Sequence, residues 1–532
     1  MLKTTRSVMA RRGWLVRRGC AHEPTFVVRF ARLPSRLLRY GLVRSLFLRG
    51  LGAVYLIAFT SLERQVLGLY GRRGILPVSE FLERVRSAVG TERYREFPTL
   101  LWIDDSDRAL LLHCKAGRFT ALALLLDVAP RTSALILWTL YLSLVTVGQE
   151  FLAFQWDVLL LEAGLLGIIV APPGVAPGIR GPPPSSMAVA TMRWLVFRLY
   201  FESGLVKVRS RDATWRNLSA CCYHYATQPL PNRVGWYAHH LPRRVQRLST
   251  AAVLGLECVM PFLVLGPKRA RRLAFWFLSG LQGAIALTGN YGFFNLLSFG
   301  LGVWLLDDDV VERLVGPAPR RRASSRAPRM PRTLFDILVG GSLLALSAAT
   351  LARRFAIGRR LMRRLGPVAR VLAKLDELTL PFHVVNSYGL FAVMTTRRPE
   401  IVVEGSNDGV RWREYVFRYK PGDLSDPPRQ AAPHQPRLDW QMWFAALGPP
   451  PDWFTAFLIR LLEGAPEVLA LLKENPFDEP PRYVRALLYE YRVTSAEVKR
   501  QTGDWWEREL LGVYVPPVAL SRRRSPPWGP TS

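Results

Sequence analysis

The strongest constraint on this chain is a series of apolar runs, each about as long as a helix that crosses a bilayer. Such a helix takes roughly 20 apolar residues. Nine runs qualify, at 46–62, 109–129, 133–149, 151–171, 187–206, 248–266, 272–289, 290–306 and 334–352. Lipid offers no water to backbone N–H and C=O groups, so runs of this kind are read as helices. A purely soluble protein is excluded. A bare membrane bundle is excluded too, because residues 380–520 carry the mixed pattern of a water-soluble fold. The expected architecture is an all-α polytopic bundle of about nine spans, followed by a C-terminal β-rich domain, either α+β or a β-sandwich.

Charge fits that reading. Lys and Arg number 72 against 41 Asp and Glu, a net +31. The basic residues sit at the ends of apolar runs, where anionic head groups attract them. Membrane lipids are therefore the expected partners, and nucleic acid is not. Arginine outnumbers lysine 64 to 8, which we read as a GC-rich, bacterial bias. Residues 1–45 hold many arginines opposed only by Glu23, with no apolar core for a signal peptide before Gly41. They are read as a basic cytoplasmic arm. Nine spans starting inside place the C-terminus outside. The basic loop 207–247 and the basic stretch 353–374 run against that count. The expected divisions are the arm 1–45, a transmembrane domain 46–352, a basic linker 353–379, a domain 380–520 and a tail 521–532.

From residue 380 the pattern changes. Two β-rich runs flank Asn407-Asp408-Gly409, a hairpin signal. Residues 452–463 and 466–474 read as helical, and 482–493 and 508–518 as strands. Asp439 to Phe444 places Trp440, Trp443 and Phe444 within six residues. They are expected either to pack this domain on the bundle or to form a partner-binding surface.

Ionisable groups inside spans cost about 2.5–3.5 kcal/mol each unless paired. Span 151–171 holds Asp157 and Glu162. Span 187–206 holds Arg193, Arg198 and Glu202, and span 248–266 holds Glu257. Arg198 and Glu202 stand four apart, on one helix face. The simplest arrangement pairs Asp157 or Glu162 with Arg193 or Arg198. Such groups hold a bundle together as salt bridges, or line a polar cavity where carboxylates move protons. Lys207, a rare lysine at the end of a polar span, either snorkels to the interface or acts as a buried base. Cys221, Cys222, His224, His239 and His240 cluster in sequence but lack a zinc spacing, so no metal is expected. The same loop reads as interfacial, with Trp215, Tyr223, Tyr225, Trp236 and Tyr237 at head-group level. No GxSxG elbow, HExxH helix or phosphate loop is present.

Several stretches resemble the lipase maturation factor family of membrane proteins. They are Tyr55–Leu69 with Gly74-Ile75-Leu76-Pro77, Phe151–Pro172, Trp194–Tyr225 with Thr227-Gln228-Pro229-Leu230-Pro231, Asn290–Leu297, Arg398–Trp412 and Pro433–Gly448. The likeness covers residues 46–310 and 380–515. It implies a multi-span maturation factor of the endoplasmic reticulum in animals, whose clients are secreted lipases engaged through the C-terminal region. A bacterial source would place it in the inner membrane. It implies no catalytic triad, and no cofactor is expected. A shorter stretch, 197–215, is similar to the segment around the catalytic lysine of vitamin K-dependent gamma-carboxylases. That likeness implies a competing class, a membrane redox enzyme with Lys207 as base beside a quinone. In it the second lysine of the family pattern is replaced by Val206. Residues Glu404–Trp412 also resemble a hairpin of discoidin-like β-sandwiches.

Overall fold

A computed structural model of the chain describes residues 40–179, 181–316 and 330–520. The basic arm before residue 40, most of the linker 317–332 and the tail from 521 lie outside the described residues.

Every predicted span coincides with a helix, but the count of nine does not carry over to membrane crossings. Among the described residues three helices are long and apolar enough to cross: Gly41–Glu63, Pro130–Val147 and Arg243–Val264. A bent pair, Ile337–Arg353 with Gly358–Arg364, makes a fourth if it counts as one span. The other segments fall short for physical reasons. Gln155–Val170 has only 16 residues, and the apolar helix over 290–306 begins at Phe294. Ser186–Arg209 is long enough but carries Arg193, Arg198, Glu202 and Lys207. Residues 353–379, read as a basic linker, form the helices Ala356–Arg364 and Pro367–Thr379.

Local chemistry sets the helix ends. Asp308 caps the first helix from a distance, accepting from the N–H groups of Gly41 (2.8 Å) and Val43 (3.0 Å). Pro130 opens its helix at the first turn, and Ser185 accepts from Ala188 N–H to start helix 186–209. Close packing follows from small residues. A Cβ at Gly52 would meet Leu125 N at 2.7 Å, so helices 41–63 and 107–125 touch backbone to backbone there.

The C-terminal region is α+β, not a sandwich. Among the described residues it holds one antiparallel sheet of four strands, β1 (Arg398–Ser406), β2 (Arg413–Glu414), β3 (Tyr483–Val493) and β4 (Trp506–Val518), in the order β2-β1-β3-β4. β1 pairs with β3 from Arg398↔Tyr491 to Ser406↔Tyr483. The expected hairpin is present. Asp408 Oδ1 accepts from Val410 N (2.9 Å) and Arg411 N (2.8 Å), and Gly409 takes φ +76°. Its return strand is only two residues long, so the rest of 415–418 is irregular. Helices Arg437–Ala445 and Asp452–Leu462 supply Trp440, Trp453, Phe454 and Phe457 to the core.

Candidate functional site

The polar residues inside the predicted spans converge on one feature, the segment 386–396 that leads into β1. This stretch has no strand partner among the described residues, yet it is packed between helices. Buried backbone groups must be satisfied by something, and here bundle side chains do it. Asn386 N–H donates to Glu162 Oε2 (3.0 Å), and Tyr388 donates to the same oxygen through its hydroxyl (2.6 Å). Tyr388 N–H donates to Glu202 Oε2 (2.9 Å), and Gly389 N–H to Gln155 Oε1 (3.0 Å). Lys207 Nζ donates to Leu390 O (3.0 Å), and the Trp215 indole to Phe391 O (3.0 Å). Met394 N–H donates to Asp212 Oδ2 (3.2 Å), and the Thr227 hydroxyl to Thr395 O (2.8 Å).

The expected pairings are only partly found. Glu162 does pair with Arg198, and both are buried. Arg198 also donates to Asn386 O (3.0 Å). The Arg198–Glu202 face pair is not an ion pair; Glu202 lies 3.4 Å from Arg354 instead. Arg193 contacts no carboxylate of span 151–171. It donates to Trp304 O (3.0 Å) and Tyr40 Oη (2.7 Å). Asp157 takes a partner from outside the bundle: Arg437 grips it at 2.8 and 3.0 Å, and the Tyr141 hydroxyl donates at 2.5 Å. Nothing in the spacing of the spans marks Arg437, because the pair is 280 residues apart.

Lys207 does not snorkel. It is 4% exposed, with Glu257 Oε2 at 2.7 Å and Ser203 O at 3.2 Å besides Leu390 O. Two carbonyls accept hydrogen bonds from Nζ, and the Glu257 carboxylate is its ion-pair partner. The enzyme reading, with Lys207 as base, finds no support in this geometry. The Cys/His cluster divides: Cys221 and His224 line one cavity, and Cys222 and His239 another. His240 bonds to Trp236 O and Thr494 O, while His224 faces Tyr291. Nor is the loop simply interfacial: Trp215 and Trp236 are buried, and Tyr237 is exposed.

The aromatic run 440–444 joins the same place. Trp440 packs edge-on against Trp156 (4.9 Å) and Tyr291 (5.8 Å), and the Trp443 indole donates to Thr227 O (2.9 Å). Phe444, 46% exposed, stacks on Phe154 at the rim. Around this seam lie further bonds from separate stretches. Gln65 bonds to Gln435 O and Arg437 N–H, and Asn290 to Arg429 O, Ala431 N–H and Ala432 N–H. Arg398 donates to Ala226 O, Gln228 O and Pro229 O. The stretches singled out in the sequence thus meet at one buried junction between the helices and the sheet.

Two histidines at the junction make it sensitive to acid. Burial, with Lys207 adding to it, pushes His224 down to about 4. Burial and then Arg64, Arg437 and Arg418 hold His434 down to about 4 as well. Between about pH 6.5 and 4 the unfolded chain binds protons that the folded chain refuses, so stability falls as pH falls. The melting temperature in detergent is expected to drop between pH 7 and 5. Replacing both histidines by glutamine should reduce that slope, with His239 and His383, also lowered by burial, contributing the remainder.

Comparison with known proteins agrees with the motifs. Residues 42–313 match the family model described as the lipase maturation factor transmembrane domain, and 384–516 the lipase maturation factor C-terminal domain. The chain is 37% identical to lipase maturation factor 2 of Gallus gallus, over 90% of this chain and 81% of that protein. It is 36% identical to the Homo sapiens protein of the same name, over 90% and 83%. With lipase maturation factor 1 of Bos taurus it shares 32% identity, over 91% of each. No solved structure matches.

Proposed function

The chain belongs to the lipase maturation factor family, and on that premise we propose that it assists the folding of secreted lipases from within the membrane they cross. The observation that carries this reading is likeness to lipase maturation factors through both regions, in the same order, over nine-tenths of the chain. In a eukaryotic cell that membrane is the endoplasmic reticulum. On this reading the C-terminal region faces the non-cytoplasmic side, where lipases fold. The junction around Asp157 and Arg437 holds that region rigidly against the helices.

The surface offered to a client is the open edge of β4. It closes the order of the sheet, runs 13 residues, and exposes Leu510, Leu511 and Val513. Edges pair with other chains unless charge or proline guards them. Here Glu507, Arg508 and Glu509 guard one end and Pro516 and Pro517 the other, which leaves the apolar stretch 510–515 open among the described residues. A folding client can add an extended segment there. The test uses cells that lack their own lipase maturation factor and express a secreted lipase. This protein should restore lipase activity in the medium. Val513→Lys should remove most of that gain at an unchanged level of the factor. Inserted, wild-type protein that restores nothing would overturn the proposal.

A further inference from the structure

A second feature of the bundle has no part in that reading. Helices 186–209, 243–258 and 268–288 enclose a cavity of about 420 Å3, within the roughly 300–1,000 Å3 of small-molecule sites. Its walls are apolar, with Leu256, Trp276, Ile285 and Phe391 among them. Its polar end holds Lys207, Glu257, His224 and Tyr291.

We propose that this cavity binds one uncharged, single-chain lipid, with a hydroxyl or carbonyl head at the Lys207–Glu257 end.

The charge balance selects the head. Lys207 and Glu257 lie 2.7 Å apart and cancel. His224, held down to about 4, carries no charge at neutral pH. Among the described residues no arginine lines the cavity. A phosphate or carboxylate head would therefore find no unengaged cation, and burying its charge unpaired would be costly. A hydroxyl or carbonyl needs only hydrogen bonds. Tyr291 Oη, 3.2 Å from His224 Nε2 and 3.1 Å from Gln228 Oε1, is placed to exchange them.

The walls select the tail and its route. The span Arg243–Val264 is only 22% buried, and Trp276 and Phe277 are about half exposed. The cavity thus borders the surface that faces lipid. A Cβ added at Gly280 would meet nothing within 4 Å, so that wall opens onto free space. Phe391, also in the lining, sits at φ +54° with its ring 5.0 Å from His224 and 5.9 Å from Tyr291. A bulky residue held in the left-handed region stores strain, a feature that gathers at ligand sites.

The test photolabels the full-length protein in mild detergent with a diazirine derivative of hexadecanol. Labelling should saturate and map to peptides of helices 243–264 and 268–288. Unlabelled hexadecanol should compete, while palmitate and phosphatidylcholine at equal concentration should not. Gly280→Phe, which places a ring in the open space, should cut labelling roughly tenfold with the melting temperature kept. If that variant does not fold, Ala252→Phe on the facing helix gives the same reading. Labelling that rises linearly with probe, that survives the cavity-filling variant, or that palmitate competes equally would overturn the proposal.

Discussion

Arg437→Met is expected to deplete the folded protein. Arg437 and Asp157 are 1% and 0% exposed, and no water can take over when one of them is removed. The guanidinium also donates to Phe151 O at 2.6 Å. Removing one partner of a buried ion pair typically costs about 3–5 kcal/mol, because the other charge stays buried and unpaired. That is a large share of the roughly 5–15 kcal/mol by which folded domains are stable. The damage should be local in kind. The helices keep their own hydrogen bonds, but the helix Arg437–Ala445 loses its anchor on Asp157. Limited proteolysis should then cut between the helical bundle and β1, at residues 383–397, before it cuts elsewhere. The double change Arg437→Met with Asp157→Leu removes both charges and should recover part of the loss. If Arg437→Met alone leaves protein level and protease resistance unchanged, the junction does not hold the two regions together.

The helices and strands were legible because each is written locally. Apolar runs such as 133–149 and alternating stretches such as 482–493 declare their own period, and Asn407-Asp408-Gly409 declares its turn. Membrane crossing was less legible, because an apolar run that is short or charged can be a buried helix as easily as a span. Gln155–Val170 and Ser186–Arg209 are of that kind. The polar residues were legible as a group. Charges in apolar runs must be compensated, so Asp157, Glu162, Arg198, Glu202, Lys207 and Glu257 stood out. Their partners did not, since pairing is a property of the fold and not of spacing. Glu162–Arg198 joins adjacent helices and could be anticipated. Asp157–Arg437 and Glu202–Tyr388 link residues 280 and 186 apart in the chain. The segment 386–396 was missed altogether. It has neither strand alternation nor helical period, because its hydrogen bonds are made by other residues' side chains.

The substitution Lys207→Arg, conservative on paper, is expected to be harmful. An exposed lysine reaching for head groups would tolerate it, since arginine reaches as well and is the default cation of this chain. Lys207 is instead buried, and its ammonium meets Glu257 Oε2, Ser203 O and Leu390 O at 2.7, 3.2 and 3.0 Å. A compact ammonium bonds two carbonyls and faces a carboxylate from a single point. A planar guanidinium spreads its donors in a fixed fork and is not interchangeable with it. At least one acceptor would lose its partner, at about 1–3 kcal/mol. Lys207→Met removes the charge as well and strands Glu257, so it should cost more, on the order of 3–5 kcal/mol. Lys207→Met with Glu257→Leu removes both charges and should be more stable than Lys207→Met alone. In every variant the ability to restore lipase activity should follow the amount of folded protein, because Lys207 acts by fixing Leu390 and the segment around it. Measuring both quantities decides the role. A Lys207→Arg protein that inserts and melts as the wild type does, yet restores no lipase activity, would show chemistry at this lysine and refute its place as an anchor.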